Sequence, residues 1–307
     1  MSSFGMEILI YFPLILQNVQ QKNREVKMES EFIQLKNNLK IHYVTAGDKE
    51  NQTLVLLHGW PTNCYLWRNI MPKLAENFYV IAPDLPGYGN SDKPEDVAYN
   101  LDFFVDFLKH FYNALGIDQA DLVGHDTGGM AALGFVSRFP EMTRRFIITD
   151  TSPYVEWPIL LKLMLKSLRS RLMARWSLVR FVFKDNLRRH GVYKKQVITD
   201  EVVDLYWNPY MQNRNSRRAF RLTLLEPPEE MIEPVENICQ IQNPTLILWA
   251  AKDRLFGVNI ADQLNEDIPN SKLVIVPDSG HFLQEDQPEF VTDHIRNFLT
   301  SQDTITY

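Results

Sequence analysis

The stretch Gly124-His125-Asp126-Thr127-Gly128-Gly129 constrains the fold of this chain more than any other, because it joins a strand pattern directly to a helix pattern. The short run Asp121 to Val123 precedes it, and Met130 to Phe139 follows with helical spacing. Glycines on both sides let the backbone turn tightly and push the side chain between them out of the sheet, while the helix N-terminus behind favours an anion there. A helix cap would explain an aspartate after a strand. It would not explain the glycines.

The same rhythm runs through most of the chain. Glu31 to Leu35 and Leu39 to Val44 alternate as strands. Apolar runs then recur at Thr53 to Leu57, Tyr79 to Ala82, Phe146 to Thr149, Thr245 to Trp249 and Lys272 to Val276, separated by helical patterns. Short apolar strands alternating with helices predict an α/β protein with a mainly parallel sheet covered on both faces. One helix is sharply bounded: Leu101, Phe104, Leu108, Phe111 and Leu115 form its apolar stripe, Asn100 is the expected N-cap and Gly116 the stop.

Between Asp150 and about Val235 the strand rhythm is lost, and the residues read as helices rich in Leu, Met, Trp and Arg. We therefore expect a core of residues 31–152 and 236–302 with a helical cap, 153–235, inserted between its halves. Residues 1–30 are expected to be a poorly ordered extension, with Met28 the natural start. Intact-mass measurement of the native protein tests that start. From Tyr154 to Arg221, fifteen Lys or Arg face five Asp or Glu, so a chain of net charge -6 carries its positive charge locally. A solvated helix face accounts for such a run, as at Lys162, Lys166, Arg169, Met173 and Trp176; the other reading is contact with a membrane surface or anionic amphiphiles.

The acidic balance argues against a nucleic-acid partner. Cys64 and Cys239 have neither metal-ligand nor disulfide-framework spacing, so no metal is expected, and a reducing, cytoplasmic location fits. The apolar run Ile8 to Leu16 contains Pro13 and is too short to span a bilayer.

An aspartate pushed out of such a turn dictates a particular chemistry. A carboxylate can attack a saturated carbon and leave an ester, whereas an acyl substrate would give a labile mixed anhydride. The ester must then be cleaved by water, which needs a base. His281 follows the last strand, and Asp253 follows the strand Thr245 to Trp249, where it can fix the histidine's tautomer; Asp150, ending the preceding strand, is the alternative acid. Backbone N–H groups of Trp60, after Leu57, and of Thr127 are the expected oxyanion donors.

These residues resemble the α/β-hydrolase superfamily, specifically its aspartate-nucleophile branch of epoxide hydrolases and haloalkane dehalogenases, over about residues 35 to 300. His58-Gly59-Trp60-Pro61, the segment Ala82 to Ser91, Gly124 to Gly129, Asp253 and His281 carry the resemblance. It implies an eight-stranded α/β-hydrolase fold and a hydrolase that needs no cofactor, acting on a small apolar electrophile with water. His-Gly-Trp-Pro is similar to epoxide hydrolases, whereas Tyr65 to Pro72 and Pro209 to Arg218 look more like dehalogenases. Dehalogenases usually hold halide with an asparagine where Trp60 stands and a tryptophan where Thr127 stands. An epoxide hydrolase giving a vicinal diol is thus the first expectation, a haloalkane dehalogenase the second, and a non-catalytic ligand-binding protein of the same fold the third. An epoxide's departing oxygen needs an acid, for which Tyr210 and Tyr154 are the candidates, ahead of Tyr193 and Tyr206.

Overall fold

The computed structural model describes residues 27–154, 159–168, 170–224 and 237–301. Eight strands form one sheet in the order β1-β2-β4-β3-β5-β6-β7-β8. They are β1 (Glu29–Gln34), β2 (Lys40–Ala46), β3 (Thr53–Leu57), β4 (Tyr79–Pro83), β5 (Ala120–His125), β6 (Thr143–Thr149), β7 (Thr245–Ala250) and β8 (Ser271–Val276). β1 and β2 run antiparallel to their neighbours, and the other strands are parallel. The architecture is thus the expected α/β one, although β1 starts at Glu29, inside the stretch expected to be an extension.

The parallel strands are apolar at nearly every position because both faces are covered. In β3, Val55 and Leu57 pack with Leu122, Ile148, Phe104 and Phe111 on one side. Leu54 and Leu56 pack with Val123, Ile147, Leu248 and Ile295 on the other. A truncation such as Leu122→Ala in this core costs roughly 2–5 kcal/mol.

Helix α1 (Leu101–Leu115) starts where Asn100 Oδ1 accepts from the Phe103 N–H, and ends at Gly116, whose φ is 68°. Phe111 meets Tyr43 of β2 edge-on at 5.7 Å, so the apolar stripe faces the sheet. Helix α2 (Thr127–Arg138) packs beside α1 and leaves the tip of β5 directly.

Among the described residues, five further α-helices lie between β6 and β7: α3 (Ile159–Leu168), α4 (Arg171–Ser177), α5 (Arg180–Asn186), α6 (Asp200–Met211) and α7 (Arg214–Leu222). Ser170, Thr199 and Asn213 cap α4, α6 and α7 through side-chain oxygens. The segment is anchored to the sheet domain by polar ties. Asn63 donates to the Leu205 carbonyl at 2.7 Å, and the Tyr206 hydroxyl donates to Glu285, whose two oxygens also take Arg68 at 2.6 and 2.8 Å. The chain between β7 and β8 forms α8 (Val258–Asp267), and α9 (Pro288–Thr300) follows β8. No helix of the described residues is long and apolar enough to cross a membrane.

Candidate active site

Five adjacent strands, β3, β5, β6, β7 and β8, each lead at the carboxyl end into one of the residues singled out from sequence. That end of an open α/β sheet is where ligand sites form.

Asp126 follows β5 with φ 51° and ψ -119°, a backbone that holds its side chain clear of the sheet. The turn is possible because Gly128 lies against β3: a Cβ there would stand 2.4 Å from the His58 carbonyl oxygen. The carboxylate is divided. Oδ1 accepts from the Trp60 N–H at 2.7 Å and the Thr127 hydroxyl at 3.0 Å. Oδ2 lies 3.5 Å from Nε2 of His281. Burial works against the charge on Asp126, but His281, His125 and the Thr127 backbone outweigh it and keep the carboxyl below its ordinary range.

His281 Nδ1 lies 2.9 Å from Oδ2 of Asp253, and Oδ1 of Asp253 accepts from the N–H groups of Leu255 and Phe256. This fixes the ring so that Nε2 faces Asp126. Burial opposes protonation of His281, yet the charges of Asp253 and Asp126 together raise it well above the usual histidine range. Both carboxylates thus favour the protonated form of the ring.

Asp150 is also here. It follows β6 with φ 36°, is fully buried, and accepts from the Ala250 N–H at 3.1 Å, while its Oδ2 has no hydrogen-bond partner. One oxygen each of Asp150 and Asp253 and a ring nitrogen of His281 lie within 4.8 Å of one another. Burial, then the charge of Asp253, pushes the Asp150 carboxyl well up. His281 thus takes its hydrogen-bonded acid from Asp253, and Asp150 stands behind it.

The other two histidines are held neutral by burial. His58 accepts from the Leu85 N–H on Nε2 and faces the Gly59 carbonyl through Nδ1; His125 Nδ1 meets the Thr149 hydroxyl. They brace the loop after β3 and the turn after β5. A second buried group, His42, Cys64 and Asp84, has cation-holding proximity, but its donor atoms are already engaged. His42 bonds Asp84 at 2.7 Å and Ser30 at 2.9 Å, and Asp84 also takes the N–H groups of Cys64 and Asn90.

A cavity of about 220 Å³ opens above His281, walled by Trp60, Phe183, Phe220, Leu255 and Phe282 with Met173 and Trp176 at α4. None of its lining residues is a tyrosine. The Tyr154 hydroxyl donates to Asp267 at 2.6 Å, and the Tyr206 hydroxyl to Glu285. Tyr210 is buried, its ring edge-on to Phe220 at 5.1 Å and its hydroxyl without a partner, and Tyr193 is half exposed with no place in the lining. The expected phenols are therefore not brought to the cavity. The lining instead holds the protic side chains Ser177, Asn186 and His190. His190 lies in a wide turn after α5, a conformation without a clear sequence signature, whereas the Thr127 hydroxyl could have been read from its place beside Asp126.

The family model for the alpha/beta hydrolase fold matches residues 52–288. A soluble epoxide hydrolase from a Corynebacterium species is 30% identical over 86% of this chain and 94% of its own. A cis-3-alkyl-4-alkyloxetan-2-one decarboxylase from Shewanella oneidensis is 28% identical over 88% of each. Among solved structures, the haloalkane dehalogenase DbeA from Bradyrhizobium elkani superposes with a TM-score of 0.77 over 89% of this chain and 98% of its own, at 23% identity, a likeness of fold. The chain belongs to the α/β-hydrolase fold family and is a hydrolase.

Proposed function

From an α/β-hydrolase that turns an aspartate out of its elbow, we propose an epoxide hydrolase working through a covalent ester on Asp126. The observation that carries this is the divided carboxylate: Oδ1 sits among the donors at Trp60 and Thr127, and Oδ2 is left to face His281, which lines the cavity.

In the first step Oδ2 of Asp126 bonds to a ring carbon of the epoxide. The carbon–oxygen bond of the ring breaks, its electron pair stays on oxygen, and a donor in the cavity supplies a proton. Among the lining residues, His190 is our candidate for that donor; burial, then Arg254 and Arg189, lowers its affinity for a proton, so it serves as the acid in its imidazolium form, which is favoured at acidic pH. Esterification removes the charge of Asp126, one of the two that raise the proton affinity of His281. His281 then falls toward its ordinary range, gives its proton through solvent back to His190, and becomes a base when water must be activated. Its Nε2 takes a proton from water, whose oxygen adds to Cγ of Asp126. The resulting oxyanion lies on Oδ1 among the same donors; on collapse the carbon–oxygen bond to the substrate breaks, His281 gives its proton to the departing alkoxide to release the diol, and the proton left on the Asp126 carboxyl passes to His281, restoring the starting pair. Asp253 orients the ring and stabilises the imidazolium. The helices α3 to α7 form the cap over the cavity, and no cofactor takes part.

Leaving-group chemistry favours an epoxide over a haloalkane. A departing halide needs N–H donors, but the Trp60 indole N–H donates to the Phe220 carbonyl at 3.2 Å and the Thr127 hydroxyl to Asp126. The epoxide hydrolase among the relatives supports the same choice.

The test is His281→Gln, incubated separately with panels of apolar epoxides and haloalkanes and weighed intact. We expect a mass increase equal to the whole epoxide. An increase equal to the haloalkane less hydrogen halide would assign dehalogenation instead. No adduct from either panel would overturn the covalent mechanism and leave a ligand-binding role.

A further inference from the structure

The helical segment between β6 and β7 separates two very different recesses with one short helix. Met173, Trp176 and Ser177 of α4 line the cavity that reaches His281. Arg171, Ala174 and Arg175 of the same helix line an open cleft of about 660 Å³ on its other side, completed by Arg214, Arg217, Arg218 and Arg221 of α7. The spacing explains the convergence, because positions 214, 217, 218 and 221 fall on one helical stripe, as do 171 and 175.

Six guanidinium groups therefore face one cleft, and Glu95, paired with Arg218, is the only acidic lining residue among the described residues. Among the described residues no carboxylate pairs with Arg171, Arg175, Arg214, Arg217 or Arg221. Nearby cations differ: Arg180 and Lys184 pair with Asp200, Arg180 also with Asp204, and Arg189 with Asp185. Gathering five unpaired arginines costs electrostatic self-repulsion, which an external anion relieves.

On α4 and at the start of α5 stand large apolar side chains directed to solvent. Leu172 is 76% exposed, Trp176 56% and Phe181 78%. Isolated exposed hydrophobic residues are ordinary, but these three lie within ten residues, and Leu172 and Trp176 share α4 with two of the cleft arginines. A surface combining arginines with Trp, Phe and Leu has the chemistry of the boundary between headgroups and acyl chains.

We propose that this face docks on a bilayer containing anionic phospholipid. The arginine cleft takes the headgroup phosphates, and Leu172, Trp176 and Phe181 enter the acyl boundary. Because Trp176 and Met173 also line the cavity, the docked enzyme receives its apolar substrate from the membrane; this second half rests on the cavity being the substrate site of the proposed hydrolase. The chain's net charge of -6 helps to orient it, since the remainder is repelled by the surface that attracts the cleft.

Flotation of the full chain with vesicles of phosphatidylcholine, alone or mixed with phosphatidylglycerol, tests docking without needing turnover, so failure of the Asp126 chemistry leaves this result readable. We expect binding only to the mixed vesicles, with release at high salt. Combining Arg175→Gln, Arg217→Gln and Arg221→Gln should weaken partitioning roughly a hundredfold, as expected for three basic groups near an anionic surface. Leu172→Ser with Phe181→Ser should weaken it on mixed vesicles at every salt concentration. Circular dichroism and turnover of a water-soluble epoxide should stay as in the parent, showing that the variants fold.

Equal binding to neutral vesicles would overturn the proposal. Calorimetric binding of inorganic pyrophosphate without vesicle binding would make the cleft a small-anion site. Vesicle binding gained only after Glu226, Glu229, Glu230 and Glu233 are changed to Gln would assign the arginines to the chain's own acidic stretch. A parent that is a dimer, becomes a monomer on Leu172→Ser with Phe181→Ser and ignores vesicles would assign the face to a second copy.

Discussion

The Trp60 N–H donates to Oδ1 of Asp126 at 2.7 Å, so the carboxylate rests in the place where its own oxyanion would form. That close fit leaves no space at the neighbouring position, since a Cβ on Gly59 would stand 2.3 Å from the same oxygen. Gly59→Ala should therefore displace the carboxylate or the donor and lower kcat/KM roughly 100- to 1,000-fold, the range for losing an aligned oxyanion donor. Steady-state kinetics with circular dichroism checks this; activity within a few-fold of the parent would show that the donor at Trp60 is not needed.

Asp150→Asn tests the acid behind Asp253. A carboxyl raised in the folded state favours folding below its unfolded value and loses that advantage as pH rises, because the unfolded chain releases a proton that the folded one keeps. An amide of the same shape removes the effect. The melting temperature of Asp150→Asn relative to the parent should rise between about pH 5 and pH 8, with turnover retained. A constant difference would mean that Asp150 ionises like a free carboxylate.

Two carboxylates raise the proton affinity of His281 in the structure, and in the proposed ester only Asp253 would remain charged beside it. Decay of the ester, followed by quenched-flow mass measurement, should fall off on acidification with a midpoint below that of His281 titrated by NMR in the resting enzyme. Equal midpoints would contradict the coupling. Ester formation should persist below the usual carboxylate range, because Asp126 stays ionised there.

His190 lines the cavity, while Tyr154 and Tyr210 do not. We expect His190→Ala to slow ester formation roughly 100-fold, as for loss of a general acid, and to leave ester decay within a few-fold. Tyr154→Phe and Tyr210→Phe should change neither step. A large loss of ester formation in either phenylalanine variant would return the acid to that tyrosine.

Much of the sheet is legible because its signals are local. The apolar runs ending at Leu57, Val123, Thr149 and Trp249 fall within strands, and Asn100 and Gly116 bound α1 by hydrogen bonding and a left-handed backbone. The residues at the strand ends come together because a parallel sheet aligns those ends. What a side chain meets across the interface between helices and sheet is not written locally. Tyr154 and Tyr210 have the right chemistry, yet α8 takes one hydroxyl and the packing around Phe220 encloses the other ring. His190 reaches the cavity through a wide turn that no periodicity announces, and the arginines of α4 and α7 form a cleft only through packing of those two helices.

Labelling with oxygen-18 tests the central claim most directly. The enzyme is turned over on an epoxide in labelled water, digested, and the peptide carrying Asp126 is weighed, alongside diol from a single turnover with enzyme in excess. Attack of water on an ester of Asp126 predicts label in that peptide and none in the first-turnover diol, whose new oxygen comes from the carboxylate. Label in the first-turnover diol with an unlabelled Asp126 peptide would contradict the account, since water would then have attacked the epoxide itself.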